Sequence, residues 1–195
     1  MLILEFAILI YSVILHEIAH GWVADKLGDP TARLKGRLTL NPIPHIDPMM
    51  TILLPLVLVL TGSPLIFGAA KPVPIDPYNF RDPKKDIALT SAAGPITNIL
   101  IALFFAILAH VLPLDVFLYG AYINVFLAIF NLLPLPPLDG FKVIGGILPD
   151  EYARTWLSFE RVGLTFIIIL LVFFGGIINS IVYPVSQTVL QLILP

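Results

Sequence analysis

The chain of 195 residues has no cysteine, which excludes disulfides, thiolate metal ligands and a cysteine nucleophile together. Charge is scarce: Asp, Glu, Lys and Arg make up 12% of the chain, where a soluble domain carries about 25%. Positive charge is not in excess. The formal net charge of -2 leaves no basic face for nucleic acid. Only four histidines are present, too few for the several histidine clusters of a di-iron oxygenase. Internal repeats, low-complexity tracts and a soluble appendage domain are also missing. What is abundant is apolar surface: 58% of residues are hydrophobic and the mean hydropathy is +0.96. A single domain of this length has too little interior to bury it, so the expected solvent is lipid.

A spanning helix needs about 20 mostly apolar residues. Residues 2–23, 87–112, 116–133 and 162–183 meet that length. The expected fold is an all-α polytopic membrane protein, one domain over residues 1–195. Its three-helix core comprises 2–23, 87–112 and 116–133, with extra membrane segments at 49–70 and 162–183. Residues 184–195 are apolar but too short to cross. The first helix is not expected to be a leader peptide, since no basic residue precedes it and His16, Glu17 and His20 lie at its end. Between it and segment 49–70, residues 33–40 alternate polar and apolar, predicting a short β-strand near the cytoplasmic side.

The basic residues set the expected orientation. All eleven fall in three stretches: Lys26 to Arg37, Lys71 to Lys85, and Lys142 to Arg161. The positive-inside rule then places the N-terminus outside and these stretches in the cytoplasm. Segment 49–70 would break this parity if it crossed once, and its 22 residues are too few for two crossings of about 20 residues each. Pro55 and the turn signal Thr61-Gly62-Ser63-Pro64 interrupt it. A re-entrant or kinked element is therefore predicted.

Chemistry concentrates at His16-Glu17-Ile18-Ala19-His20, an HExxH pattern on a helix. Residues four apart share a helix face, so both imidazoles can hold one ion. Glu17 beside them can take the proton of a water that such an ion acidifies. A catalytic zinc takes three protein ligands and keeps a fourth position open. With no cysteine, the third ligand must be a histidine or an acid, and His45 and His110 are the only other histidines. Asp139 is the strongest candidate: it follows the cluster Pro134-Leu135-Pro136-Pro137 and precedes Gly140, which permits close backbone approach. On position alone, a solvated turn aspartate is the alternative. His45 and Asp47 are candidates for a gate or for support of the site, against the plainer reading of an interfacial turn. His110, Trp22, Tyr183 and Glu5 read as interfacial residues. Asn124 and Asn179, within apolar stretches, read as helix–helix hydrogen-bond partners.

HExxH in a first membrane helix and Leu138-Asp139-Gly140 after Asn131-Leu132-Leu133-Pro134 in a later one resemble the site-2 protease family of intramembrane zinc metalloproteases. Gly94-Pro95-Ile96-Thr97-Asn98 resembles that family's Gly-Pro-x-x-Asn element. The matches run in the family's order from His16 to Gly140. The resemblance implies one zinc ion held by His16, His20 and Asp139, with Glu17 activating water. It implies cleavage of a transmembrane helix of another protein, with Asn98 and Asn131 handling substrate. No PDZ or nucleotide-binding appendage is present, as in short bacterial and archaeal members, so a prokaryotic cytoplasmic membrane is the expected location. A membrane metal transporter, using the His and Asp residues as a transit site, is the rival class. It gives Glu17 no role.

Overall fold

The computed structural model describes residues 1–62 and 68–194, with backbone alone at several positions between 162 and 178. Ser63 and Pro64 of the turn signal lie outside the described residues. Among the described residues the chain is mostly helical and has no strand. Helix α1 spans Leu2–Leu27, α2 Thr31–Leu34, α3 Leu54–Leu60, α4 Pro83–Val111, α5 Asp115–Asn131, α6 Asp139–Ile147, α7 Asp150–Ser158 and α8 Gly163–Ile193.

Helix α4 is the centre of the molecule and packs against α1, α5 and α6, while α5 also packs against α8. Small residues make this closeness possible: Ala102 and Ala106 of α4 meet Ala121 and Val125 of α5, and Leu190 of α8 seals the cluster. Packing through small side chains is how helices associate where no water drives them together. α1 and α4 are long and apolar enough to cross a bilayer, and only 17% and 39% of their apolar windows are covered by the rest of the chain. The uncovered face is built of residues such as Leu2, Ile3, Phe6, Leu100, Phe104 and Ile107.

Three boundaries differ from expectation. α1 runs on to Leu27, and α4 begins at Pro83, where Asp82 accepts from the Lys85 N–H as an N-cap. α8 does not stop before Pro184 but continues through it to Ile193, so residues 184–193 extend a packed helix instead of forming a separate tail. An internal proline removes one ladder hydrogen bond, and the burial of Val182, Ser186 and Leu190 around it supplies the packing that holds the helix together.

The predicted strand at 33–40 is absent. Asp29 accepts from the Thr31 N–H and hydroxyl, starting a helical turn at the point where the alternation was read as extended. The turn closes with Gly36 in the left-handed conformation (φ 63°), while the Gly36 and Arg37 amides donate to Arg33 and Ala32 carbonyls. These are the bonds of a Schellman stop, and they override the local pattern.

Segment 49–70 leaves and returns at one place. A π-helical turn at Pro48–Leu53 leads into α3, a combined 13 residues that reach roughly 20 Å, short of the ~30 Å hydrocarbon core. By Ala69 the chain is back beside its start: the Ala69 amide donates to the Met50 carbonyl at 3.1 Å, and the Thr51 hydroxyl donates to the Ala69 carbonyl.

Asp29 ties the end of α1 to the start of α4. Besides Thr31 it accepts from the Asp76 amide and the Asn79 side chain. Burial by itself would push its carboxyl up, but these hydrogen bonds outweigh that and hold it below the usual carboxylate range. A carboxyl lowered on folding stabilises the fold at neutral pH and loses that contribution as the pH falls through the folded value. Asp29→Asn should therefore melt a few degrees lower than the parent at pH 7. The gap should begin to narrow below about pH 4, the unfolded value, and shrink further as the pH falls, as followed by melting in detergent across that range.

Candidate metal and catalytic site

Near the middle of α1, His16 and His20 lie on one face and turn toward α4. The His20 Nδ1 meets the Thr90 carbonyl at 2.7 Å. A carbonyl only accepts, so Nδ1 carries a proton, and in the neutral ring, the form that binds a metal, Nε2 keeps its lone pair. The His16 Nδ1 meets Asn98 Oδ1 at 2.6 Å. Asn98 donates from its amide nitrogen to Asn124 Oδ1, so its oxygen is the acceptor, and in the neutral His16 ring the lone pair is likewise on Nε2.

Two lone pairs thus face one another, His16 Nε2 to His20 Nε2, at 3.0 Å. Asp139 Oδ2 joins them from the first turn of α6, 3.1 Å from His16 Nε2 and 3.4 Å from His20 Nε2. That oxygen is buried and has no hydrogen-bond partner. With both rings neutral, three acceptors converge, an arrangement that is repulsive unless a proton or a metal ion lies among them. Ligand atoms about 2.0–2.1 Å from one tetrahedral zinc lie about 3.3 Å apart, close to the three separations found here. Two imidazoles and a carboxylate also suit zinc chemically, so the residues fit the group.

The close approach of α4 depends on Gly94. A Cβ there would fall 2.5 Å from His16 Cε1 and from His20 Nε2. Pro95 interrupts the α4 hydrogen-bond ladder at the same turn. Asp139 is delivered by the chain reversal after α5, where a Cβ on Gly140 would collide with the Leu132 carbonyl.

Glu17 lies with both histidines in a cluster whose ligand atoms are all within 4.8 Å of one another. Its Oε2 accepts from the Val73 backbone N–H at 2.8 Å.

The other sequence candidates divide. Asn98 reaches the site, but through His16 and not through an open face. Asn131 donates to Leu127 of its own helix and is not among the converging groups. Asp47 caps the turn that follows it, its Oδ1 accepting from the Met49 and Met50 amides. His45 is buried, its Nε2 against the Thr39 carbonyl, and its ring does not join the cluster. Asn179 is exposed on α8. Asn124 is a helix–helix partner as expected, and it also completes a relay to the site. Its Nδ2 donates to Ser12 Oγ and the Gly120 carbonyl, and its Oδ1 receives Asn98. Ser12 and Val73 were not foreseen. Ser12 stands four residues before His16, on the same helix face, and Val73 carries the lone N–H between two prolines; those were the available signals.

This relay sets the tautomer of a candidate ligand, and loss of such support costs about 10–100-fold in metal affinity. Asn124→Ala, which frees Asn98 to rotate, should weaken zinc binding by about that factor with helix content unchanged. Chelator competition and circular dichroism check both halves.

The model of peptidase family M50 matches residues 110–174, which include Asp139 but not the α1 pair. The Bacillus subtilis (strain 168) protein named "Putative zinc metalloprotease YwhC" is 36% identical over 190 residues, covering 90% of this chain and 82% of that protein. The Mycolicibacterium smegmatis (strain ATCC 700084 / mc(2)155) protein named "Putative zinc metalloprotease Rip2" is 29% identical, covering 87% of this chain and 67% of its own length. No solved structure matches. Identity at the level of the first relative, sustained across nearly the whole chain, means that the chain belongs to peptidase family M50, the site-2 protease family, and is a metalloprotease.

Proposed function

We propose that this protein hydrolyses a peptide bond within or near a transmembrane helix of another protein, as in regulated intramembrane proteolysis. One zinc ion would be held by His16, His20 and Asp139. The observation that carries the reading is the convergence of three lone-pair atoms, one of them the buried, unpartnered Asp139 Oδ2. When bound, zinc supplies Lewis-acid polarisation of the scissile carbonyl and acidifies a water.

The chain's own residues do the rest. Glu17 takes the water's proton and later delivers it to the departing amine nitrogen, as the water's oxygen bonds to the carbonyl carbon and the C–N bond breaks. Thr90 and Asn98 hold the imidazoles with their Nε2 atoms presented. Asn131, beside the Asp139 loop, remains a candidate to hold substrate. A substrate helix has its backbone groups bonded internally and must open locally before its carbonyl can react.

The membrane setting rests on the apolar outer faces of α1 and α4 and on the placement of the basic residues. We read the N-terminus as outside and the site as open to the cytoplasm. The meeting of Met50 with Ala69 supports a re-entrant segment covering the cytoplasmic flank, beside the site.

The test is cleavage of transmembrane-helix peptides in liposomes by the parent chain and by Glu17→Gln, with soluble peptides alongside and bound metal quantified. Cleavage of membrane-embedded peptides by the parent alone supports the reading. Cleavage of soluble peptides only, or equal cleavage by both proteins, overturns it.

A further inference from the structure

Residues 71–74 read Lys-Pro-Val-Pro. Pro72 and Pro74 carry no N–H, so Val73 has the single amide hydrogen of its tripeptide, and that hydrogen goes to Glu17 Oε2. Two residues upstream, Lys71 is gripped from both sides. Its amide donates to the His45 carbonyl at 2.8 Å, and its carbonyl accepts from Arg37 Nη2 at 2.7 Å. Downstream, the Asp76 amide donates to Asp29 Oδ2. The segment is anchored at both ends and touches the carboxylate in its middle.

The upstream anchor is unusually buried. Arg37 is 8% exposed and His45 3%. The structure shows no carboxylate paired with Arg37 among the described residues, although a buried guanidinium ordinarily needs one. Its hydrogen bond goes to the segment's backbone instead. His45 uses its ring to close the 39–45 turn onto the Thr39 carbonyl, which presents its own carbonyl to Lys71. Neither residue touches the imidazole–carboxylate cluster. Both act at one remove, through a peptide whose one free amide meets the candidate base.

We propose that Arg37 and His45 are positioning residues that clamp Lys71, so that the Val73 amide fixes the Glu17 carboxylate in its working orientation. The inference rests on Glu17 being the base, as proposed above. It commits one carboxylate oxygen to the protein and leaves the other for the proton. Small misplacements of a catalytic group cost heavily, so the effect of the clamp falls on the chemical step and not on substrate binding.

The experiment compares kcat and KM on a cleavable transmembrane peptide for the parent, Arg37→Met, Arg37→Lys, Val73→Pro and Glu17→Gln. Zinc content is measured for each, and hydrogen exchange of the Val73 amide for all but Val73→Pro. Arg37→Met and Val73→Pro should lower kcat about tenfold or more, with KM within about twofold and zinc retained. Arg37→Lys, which keeps a donor for the Lys71 carbonyl, should recover most of the loss. The Val73 amide should be protected in the parent and exchange faster in Arg37→Met. Unchanged kcat and unchanged Val73 exchange in a folded Arg37→Met protein overturn the clamp, and so does a change confined to KM. If Glu17→Gln is inactive while Arg37→Met and Val73→Pro are normal, the clamp alone fails. If Glu17→Gln cleaves normally, the proposed base fails and the clamp with it.

Discussion

Gly94→Ala should remove zinc binding and cleavage together while leaving the helices intact. The added methyl would sit 2.5 Å from His16 Cε1 and His20 Nε2 and 2.6 Å from His16 Nε2, far inside the ~3.5–4.0 Å at which such atoms attract. The obstruction is not the tip of a flexible chain. Both rings are held from behind, His16 by Asn98 and His20 by the Thr90 carbonyl, so swinging them away breaks those bonds and scatters the lone pairs. Moving α4 instead would pull Asn98 from Asn124 and from His16, and the Thr90 carbonyl from His20. Alanine favours helix more than glycine does, so circular dichroism should show no loss of helix. Zinc retained after dialysis should fall by about 100-fold or more in affinity, beyond the range for loss of a supporting hydrogen bond. Full zinc occupancy with normal cleavage would mean that α1 and α4 do not meet as closely as described.

Glu17→Gln should separate binding from chemistry. Glutamine has nearly the same shape, and its side-chain oxygen can still accept from the Val73 amide, so the segment over the site keeps its anchor. What is lost is the ability to take a proton. General base catalysis is worth about 10²–10⁴-fold, and cleavage of a transmembrane peptide should fall by that much with zinc still bound. Metal analysis beside single-turnover cleavage reads both quantities. A protein that carried metal across the membrane would pass it almost as well with glutamine, because the two imidazoles and Asp139 are untouched. Retained cleavage would remove Glu17 from the reaction.

Parts of this architecture were legible in the residue order because they depend on near neighbours. The pairing of His16 with His20 follows from helical periodicity alone, and the long helices follow from runs of apolar residues. Asp139 could be singled out because prolines and a glycine around it announce a chain reversal. The misreading of 33–40 has the same origin in reverse. Alternating polarity is a weak local signal, and the start supplied by Asp29 with the stop at Gly36 prevailed over it. Likewise Pro184 looked like an end, but burial of Val182, Ser186 and Leu190 carried α8 past it.

By itself, then, the sequence determined the apolar composition, the long helices, the three candidate ligands and the candidate base, and the family resemblance that the relatives support. The tertiary structure decided which groups support them. Asn98 stands behind His16 although 82 residues separate them in the chain. Asn124 reaches Ser12 across 112 residues, and Val73 reaches Glu17 across 56. Asp47 became a helix cap, and the His45 carbonyl became an anchor for the segment that meets Glu17. Hydrogen bonds of this span leave no periodicity in the sequence, because each partner is chosen by how α1, α4 and α5 pack. The small residues that let those helices close, Ala102, Ala121 and Gly94 among them, look unremarkable in one dimension and acquire their meaning only where two helices touch.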